Sequence, residues 1–254
     1  SFEMALKIDS TLTDAFSDLG ALYMKQKMYT ESAMMYEKKI AVDSTSLSAY
    51  LNASASYIQL KNYERSMELL IKAIEHRPAY IGSRLRLAQT YALMDSLDQA
   101  KNQYDSVLTL IGTQTEKYKN ELSEAYTMIG NIYFQKNKYD AAVEIFRKAI
   151  FSGADGSQVR VLVGQALILG RGDDPDLNRK RILEAVEHFR KAIKLDPKSV
   201  QGHLWLAQGL IFSRLEWEPE EAKKLTEEAK QEYKKVLQLD SNNVDAKKGL
   251  DKIK

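Results

Sequence analysis

Four side-chain amides recur along this chain. Gln89, Asn131, Gln165 and Gln208 are separated by 42, 34 and 43 residues. A primary amide both donates and accepts, so a row of them can pair with the N–H and C=O groups of an extended polypeptide. Residues suited to catalysis are scarce by comparison. Cysteine is absent, which excludes thiolate nucleophiles, disulfides and cysteine-based zinc sites. The histidines are His76, His188 and His203. Glu184 and His188 are four apart and could touch a metal, but that pairing is ordinary on a solvated helix, and no metal is expected. Asp174, Asp176 and Asn178 imitate the opening of a calcium loop. The pattern then fails, with Arg179 in the glycine position and Ala185 in the place of the bidentate acid. No phosphate loop, nucleophile elbow or HExxH is present. The sequence predicts no catalytic residue and no cofactor, and it argues against an enzyme.

The elements that carry the amides must be helical. Of 254 residues, 44% are hydrophobic and 28% charged, with only 4 Pro and 12 Gly, a balance that favours helix over β-rich or disordered classes. The 37 basic and 35 acidic residues leave a formal charge of +2, which gives no support to a nucleic-acid or anionic-membrane surface. No apolar run approaches the ~20 residues of a membrane span, so no membrane insertion is expected. No secretory segment stands at the N-terminus. The compartment stays open, with cytoplasmic and periplasmic settings both compatible.

Two independent rulers give the period. The first is Phe2, Tyr36, Leu70 and Tyr104 at intervals of 34, then Phe146, Phe189 and Tyr233 at 42, 43 and 44. The second is Tyr23, Tyr57, Tyr91, Tyr133, Leu167 and Leu210. Small residues keep the same register: Gly20, Ser54, Ala88, Gly130, Gly164 and Ala207 precede the second ruler, and Ser32, Ser66, Ala100, Ala142, Ala185 and Ala229 precede or follow the first. Small side chains at fixed points let two helices approach while an aromatic fills the neighbouring hole. Pro78 and Pro197 mark helix ends. The stretch Ser123–Ala154 displays the whole pattern, with a polar turn at Lys136-Asn137-Lys138.

This pattern resembles the tetratricopeptide repeat, whose signature is small and large residues at set positions of a 34-residue helix-turn-helix. The resemblance covers nearly the whole chain. It departs at Arg84, Arg160 and His203, where the family prefers a large aromatic, and in the stretched later repeats. It implies an all-α fold, a right-handed superhelical solenoid of antiparallel helix pairs. On this reading residues 1–254 form a single array: a half-repeat at 1–10, repeats at about 13–46, 47–80, 81–112, 123–156, 157–199 and 200–243, and a terminal helix at 243–253. A lone second helix is expected near 2–8, with the next starting at 14. Asp140 is expected to open a helix after Tyr139, and Asn242-Asn243 to start the last one. Insertions fall at 112–122, at 171–181 between the helices of the fifth repeat, and around 214–221 with Trp217 and Pro219. In solenoids such insertions map to loops or helix extensions, often functional ones.

The resemblance also implies an inner groove lined by first helices, where members of the family hold a peptide. The residues expected there are Gln89, Asn131, Phe134, Gln165, Ile168, Gln208, Ile211 and Phe212. Val161, Leu169 and Leu204 accompany them and make the later part of the groove apolar, unless a neighbouring element covers it. The family's terminal-carboxylate clamp does not carry over, because Ser17, Ala21, Leu51 and Ala55 occupy its Lys and Asn positions. Arg86 is the nearby anion-binding candidate, unless it serves the neighbouring helix. The expected function is a protein–protein interaction scaffold that binds a peptide or helical segment of another protein. Two alternatives remain: self-association through the N-terminal half-repeat, and, against the charge balance, RNA binding.

Overall fold

The structure is a computed structural model that describes the backbone of residues 2–213 and 219–253, and the side chains of residues 13–213 and 219–253. Residues 214–218 of the third insertion, Trp217 included, lie outside the described residues. Two compact bodies are present, Ser1–Gln114 and Thr115–Lys254. The division falls inside the first insertion.

The first body holds six helices: α1 (Phe2–Lys25), α2 (Tyr29–Val42), α3 (Leu47–Gln59), α4 (Tyr63–His76), α5 (Ile81–Leu93) and α6 (Leu97–Ile111). Each packs on the next. Turns this short make neighbours antiparallel. The α1–α2, α3–α4 and α5–α6 turns place Lys27, Lys61 and Asp95 in the left-handed region, at φ 61°, 58° and 57°. The following N–H groups, those of Met28, Asn62 and Ser96, donate back to the carbonyls of Tyr23, Tyr57 and Tyr91 at 2.9 Å. That is the Schellman closure, in which the chain reverses by satisfying otherwise orphaned helix carbonyls. The ruler aromatics of the first helices thus sit one turn before each reversal. Buried cores join successive helices: Tyr36, Tyr50, Leu69 and Ala73 in one cluster, Leu51, Leu70 and Leu87 in another.

One expectation fails here. The repeat boundary predicts a lone helix near 2–8 that ends before another begins at 14, yet α1 runs unbroken from Phe2 to Lys25. Residues 9–13 (DSTLT) contain neither Pro nor Gly, and Ser, Thr and Asp cap helices without forbidding their interior.

The second body holds α7 (Lys119–Gln135), α8 (Tyr139–Phe151), α9 (Ser157–Leu169), α10 (Pro175–Leu195), α11 (Val200–Ser213), α12 (Pro219–Leu239) and α13 (Val244–Lys252). Successive helices pack in order, and α11 also meets α9. Among the described residues there is no strand. Asn137 repeats the left-handed turn at φ 56°, closed by Lys138 N–H on the Tyr133 carbonyl at 2.9 Å. One continuous core runs through Phe146, Val163, Phe189, Leu210 and Tyr233. The glycine register explains how the pairs close. Gly130 lies under the Phe146 ring and Gly164 under the Phe189 ring, so a methyl at either position would overlap an aromatic that is fully buried.

Helix starts and stops follow local chemistry. Pro78 and Pro197 stand just after the ends of α4 and α10. Asn243 caps α13 by accepting Ala246 N–H at 3.0 Å. Asp140 does not open α8: that helix starts at Tyr139, and Asp140 pairs instead with Arg181. The 171–181 insertion is mostly helix. It lengthens α10 to begin at Pro175 rather than 178, because Asp174 accepts the N–H groups of Asp176 and Leu177 at 3.0 and 3.1 Å. Pro at the first helical position needs no N–H partner there.

Candidate functional site

α9 and α11 are neighbouring first helices, and neither carries an acidic residue. Their two basic side chains are already engaged. Arg160 pairs with Asp155. His203 is buried, with Nδ1 2.5 Å from a Glu232 carboxylate oxygen and Nε2 3.0 Å from the Pro197 carbonyl. The positions that depart from the family pattern therefore found polar partners inside the fold, and Arg84 similarly donates to Gln103. Arg86 donates to the Leu51 carbonyl at 3.1 Å and so serves the neighbouring helix.

Between the start of α11 and the exposed side of α9 lies a cleft of about 570 Å3. That size falls within the range of small-ligand and peptide subsites. Val161, Leu162 and Val200 supply its apolar lining, and Gln158, Gln165 and Gln201 supply amides. Ser157 adds a hydroxyl whose oxygen is shut from solvent and has no hydrogen-bond partner. The charged residue in this lining is Asp196, which accepts Lys198 N–H at 3.0 Å. Helix-face register does not reach the turn residues Asp196 and Ser199, nor Val200 at the first position of α11. Pro197 was the available signal, since it ends α10 and so places a turn immediately before α11.

The other sequence-derived positions divide. Gln89 is half-buried on α5, in the first body. Asn131 and Phe134 are half-buried on α7, and the Phe134 ring meets Tyr139 edge-on at 5.5 Å. Gln208 and Ile211 are half-buried on α11. Ile168 is only 3% exposed and belongs to the core, as does Leu204, whereas Val161, a core residue too, also lines the amide cleft. Ile168 is no surface contact, because α9 packs on α11 and closes that part of the groove. Leu169 remains exposed at the end of α9.

Phe212 is half-buried, and the Arg171 guanidinium lies over its ring at 4.3 Å. Arg171 comes from the insertion, which is held in place from three sides. Asn178 and Gly172 exchange side-chain and backbone hydrogen bonds at 2.8 and 3.1 Å, Asp174 caps α10, and Arg181 bridges the Gly170 carbonyl and Asp140. The calcium-like acids are therefore helix-start residues. Glu184 pairs with Arg147 and lies 3.6 Å from His188. Among the described residues no group of three His, Asp or Glu is arranged to hold a metal. Among them, too, no helix is long and apolar enough to cross a membrane.

Comparison with known proteins agrees with this architecture. Family profiles described as "Tetratricopeptide repeat" match residues 79–150 by one profile and 47–80 and 177–199 by another. No curated protein matches the chain by sequence. Among solved structures, the chain is similar to Pseudomonas aeruginosa PilF, with TM-score 0.71 and 12% identity over 96% of this chain and 99% of that one. It is similar to YrrB, described as a TPR protein with an unusual peptide-binding site, with TM-score 0.61 and 15% identity over 84% and 96%. It also resembles the C-terminal part of a TPR repeat-containing protein of Cytophaga hutchinsonii, with TM-score 0.64 and 17% identity over 91% and 98%. Likeness at these identities concerns the fold alone. With the profile matches spanning half of its residues and the helix register agreeing with them, the chain belongs to the tetratricopeptide repeat family.

Proposed function

We propose that the chain is a non-catalytic protein-interaction scaffold that holds an extended segment of another protein along the α9–α11 face. The observation that carries this reading is the cleft in which Gln158, Gln165 and Gln201 stand beside Val161, Leu162 and Val200. Amides pair with a peptide backbone, and an apolar lining accepts alternate side chains of the same strand-like segment. Lacking a positive lining residue, the cleft gives a terminal carboxylate no clamp. Gln208, Asn131 and Phe134 extend the surface along the same class of helix position. YrrB, of the same fold, is described by its peptide-binding site, which supports the class of function.

The test is selection of short peptides from a random display library by the intact chain. The affinity of a selected peptide is then measured against the Gln165→Ala/Gln201→Ala variant. Losing two backbone-pairing amides predicts a fall of roughly tenfold, at about 1 kcal/mol or less per bond. Failure to select any peptide, or equal affinity in a variant of unchanged helicity, overturns the reading.

Self-association is a second reading, favoured by α1. Leu19 and Leu22 stand 41% and 48% exposed on that helix, with Ala15 on the same side. Sedimentation at rising concentration tests it, and a strict monomer removes it.

A further inference from the structure

Among the described residues Arg171 is a cation without an anion. In the same body Arg147, Arg160, Arg181 and Arg190 each pair with a carboxylate. Arg171 has no carboxylate partner among the described residues, and its Nη1 is shut from solvent with no hydrogen-bond acceptor. Burial lowers its pKa from the ordinary guanidinium value, and no neighbouring acid opposes that shift. A desolvated charge left unpaired is unfavourable, and it gains correspondingly more from an arriving counter-charge than a solvated one would.

Arg171 lines a second cleft of about 440 Å3, with Asn137, Lys138, Tyr139 and Leu169 around it. The acid in that lining, Asp140, is already held by Arg181. Lys138 is exposed at the same cleft and adds a second positive charge. The ring of Phe212 supports the guanidinium from beneath, and the closed loop fixes its position, so little side-chain freedom remains to be lost on binding. Leu169, on this cleft, lies one helical turn beyond Gln165, on the amide cleft. One turn is about 6 Å, or two residues of extended chain.

We propose that the Arg171 cleft is an anion subsite that takes the carboxylate of an Asp or Glu side chain in the segment held along α9, two or three residues from the one paired with Gln165. The occupant follows from chemistry: a planar guanidinium fork matches a carboxylate, and a polypeptide segment held on the adjoining cleft supplies one in each Asp or Glu side chain. This inference rests on the scaffold reading above.

The probe is a positional-scanning array of short cellulose-bound peptides, overlaid with the intact chain and with its Arg171→Gln and Arg171→Lys variants, each checked for unchanged helicity. The wild-type chain is expected to prefer Asp or Glu over Asn or Gln at one position by roughly tenfold, as charge-assisted bidentate pairs give. Arg171→Gln should lose that preference while retaining the rest of the profile, and Arg171→Lys should keep a weaker one. Peptide binding with no acidic preference, or a preference unchanged in Arg171→Gln, overturns the anion subsite and leaves the amide cleft standing. Absence of any peptide binding overturns both.

Discussion

Gly164→Ala tests the packing that positions the α9 face. A Cβ at Gly164 would lie 2.5 Å from Cζ and 2.9 Å from Cδ1 of Phe189, and closer still to Cε1. Carbon atoms in contact prefer about 3.5–4.0 Å, so ring and helix must separate by about an ångström. Phe189 is fully buried and stacks on Trp205 at 6.2 Å, so it has no free side toward which to retreat. Overpacking costs about 1–3 kcal/mol, and a buried ring with no side to retreat toward puts this case at about 2–3 kcal/mol; against about 1 kcal/mol regained because Ala is the better helix former, the net loss is about 1–2 kcal/mol. Urea unfolding followed by tryptophan fluorescence reads the loss, with Trp205 beside the affected ring. Gly172→Ala is the control, since nothing lies within 4 Å of a Cβ there, and it should change stability by less than about 0.5 kcal/mol. In a Phe189→Leu background the same Gly164→Ala change should become neutral or stabilising. The chain already carries the compensated pair in its second repeat, where Ser54 and Leu70 hold the two positions. A neutral Gly164→Ala in the wild-type background, or equal effects in both backgrounds, would refute the ring-over-glycine account.

Two further outcomes follow from the turns and from His188. Lys61 sits at φ 58°, where an L-residue is disfavoured by about 1–2 kcal/mol, while glycine adds about 0.4–1 kcal/mol of unfolded-state entropy. Lys61→Gly should therefore raise the urea midpoint by a net gain of about 0.5–1 kcal/mol, and Asn137→Gly should gain less, because Asn tolerates the left-handed region better; a loss at Lys61 would show that the lysine side chain supports the turn. Burial lowers the His188 pKa from its ordinary 6.5; Arg160 of α9, and Lys191 and Arg147 of α10 and α8, push the same way, while Glu184 opposes them. The unfolded chain then binds the proton more readily than the folded one, so this group's stability is present above about pH 6.5 and is lost as pH falls below it. His188→Gln should flatten that part of the stability–pH curve, and curves of identical slope would remove His188 as the cause.

The repeat was legible because two side-chain rulers and a small-residue register ran in parallel, and the Gly130–Phe146 and Gly164–Phe189 contacts are what that register looks like in space. The left-handed turn residues were not legible. Lys27 and Lys61 carry no sign of positive φ, since the Schellman closure holds them there through backbone hydrogen bonds rather than through glycine's freedom. Helix register alone puts Ile168 on the groove. Register gives the direction in which a side chain points, but not the separation of α9 and α11, and that separation buries it. The α1 break was expected from the repeat boundary, though no residue between 9 and 13 compels a helix to stop. Gln165 of the amide row lines the cleft, whereas Asp196 comes from a turn whose path depends on how α10 ends, and that turn also sets where Val200 starts α11.

The 171–181 insertion was visible as a broken period but not as a built structure. Had it served only to span the distance from α9 to α10, a short polar loop would suffice, since loop closure costs little more as length grows. Instead Asp174 caps the helix, Asn178 ties back to Gly172, and Arg181 reaches both the Gly170 carbonyl and Asp140. Three separate devices thus fix a loop on which Arg171 is neither paired with an acid nor fully exposed. The stack on Phe212 accounts for one face of that guanidinium, but it does not account for the placing of a charge that no carboxylate among the described residues answers. At the opposite end of α9, Asp196 stands on the amide cleft with no cation of the cleft beside it. Charges of opposite sign at the two ends, with uncharged amides and aliphatic side chains between, would read a bound segment in one direction only. Reversing the order of a selected peptide's charged residues, at constant composition, should therefore abolish its retention.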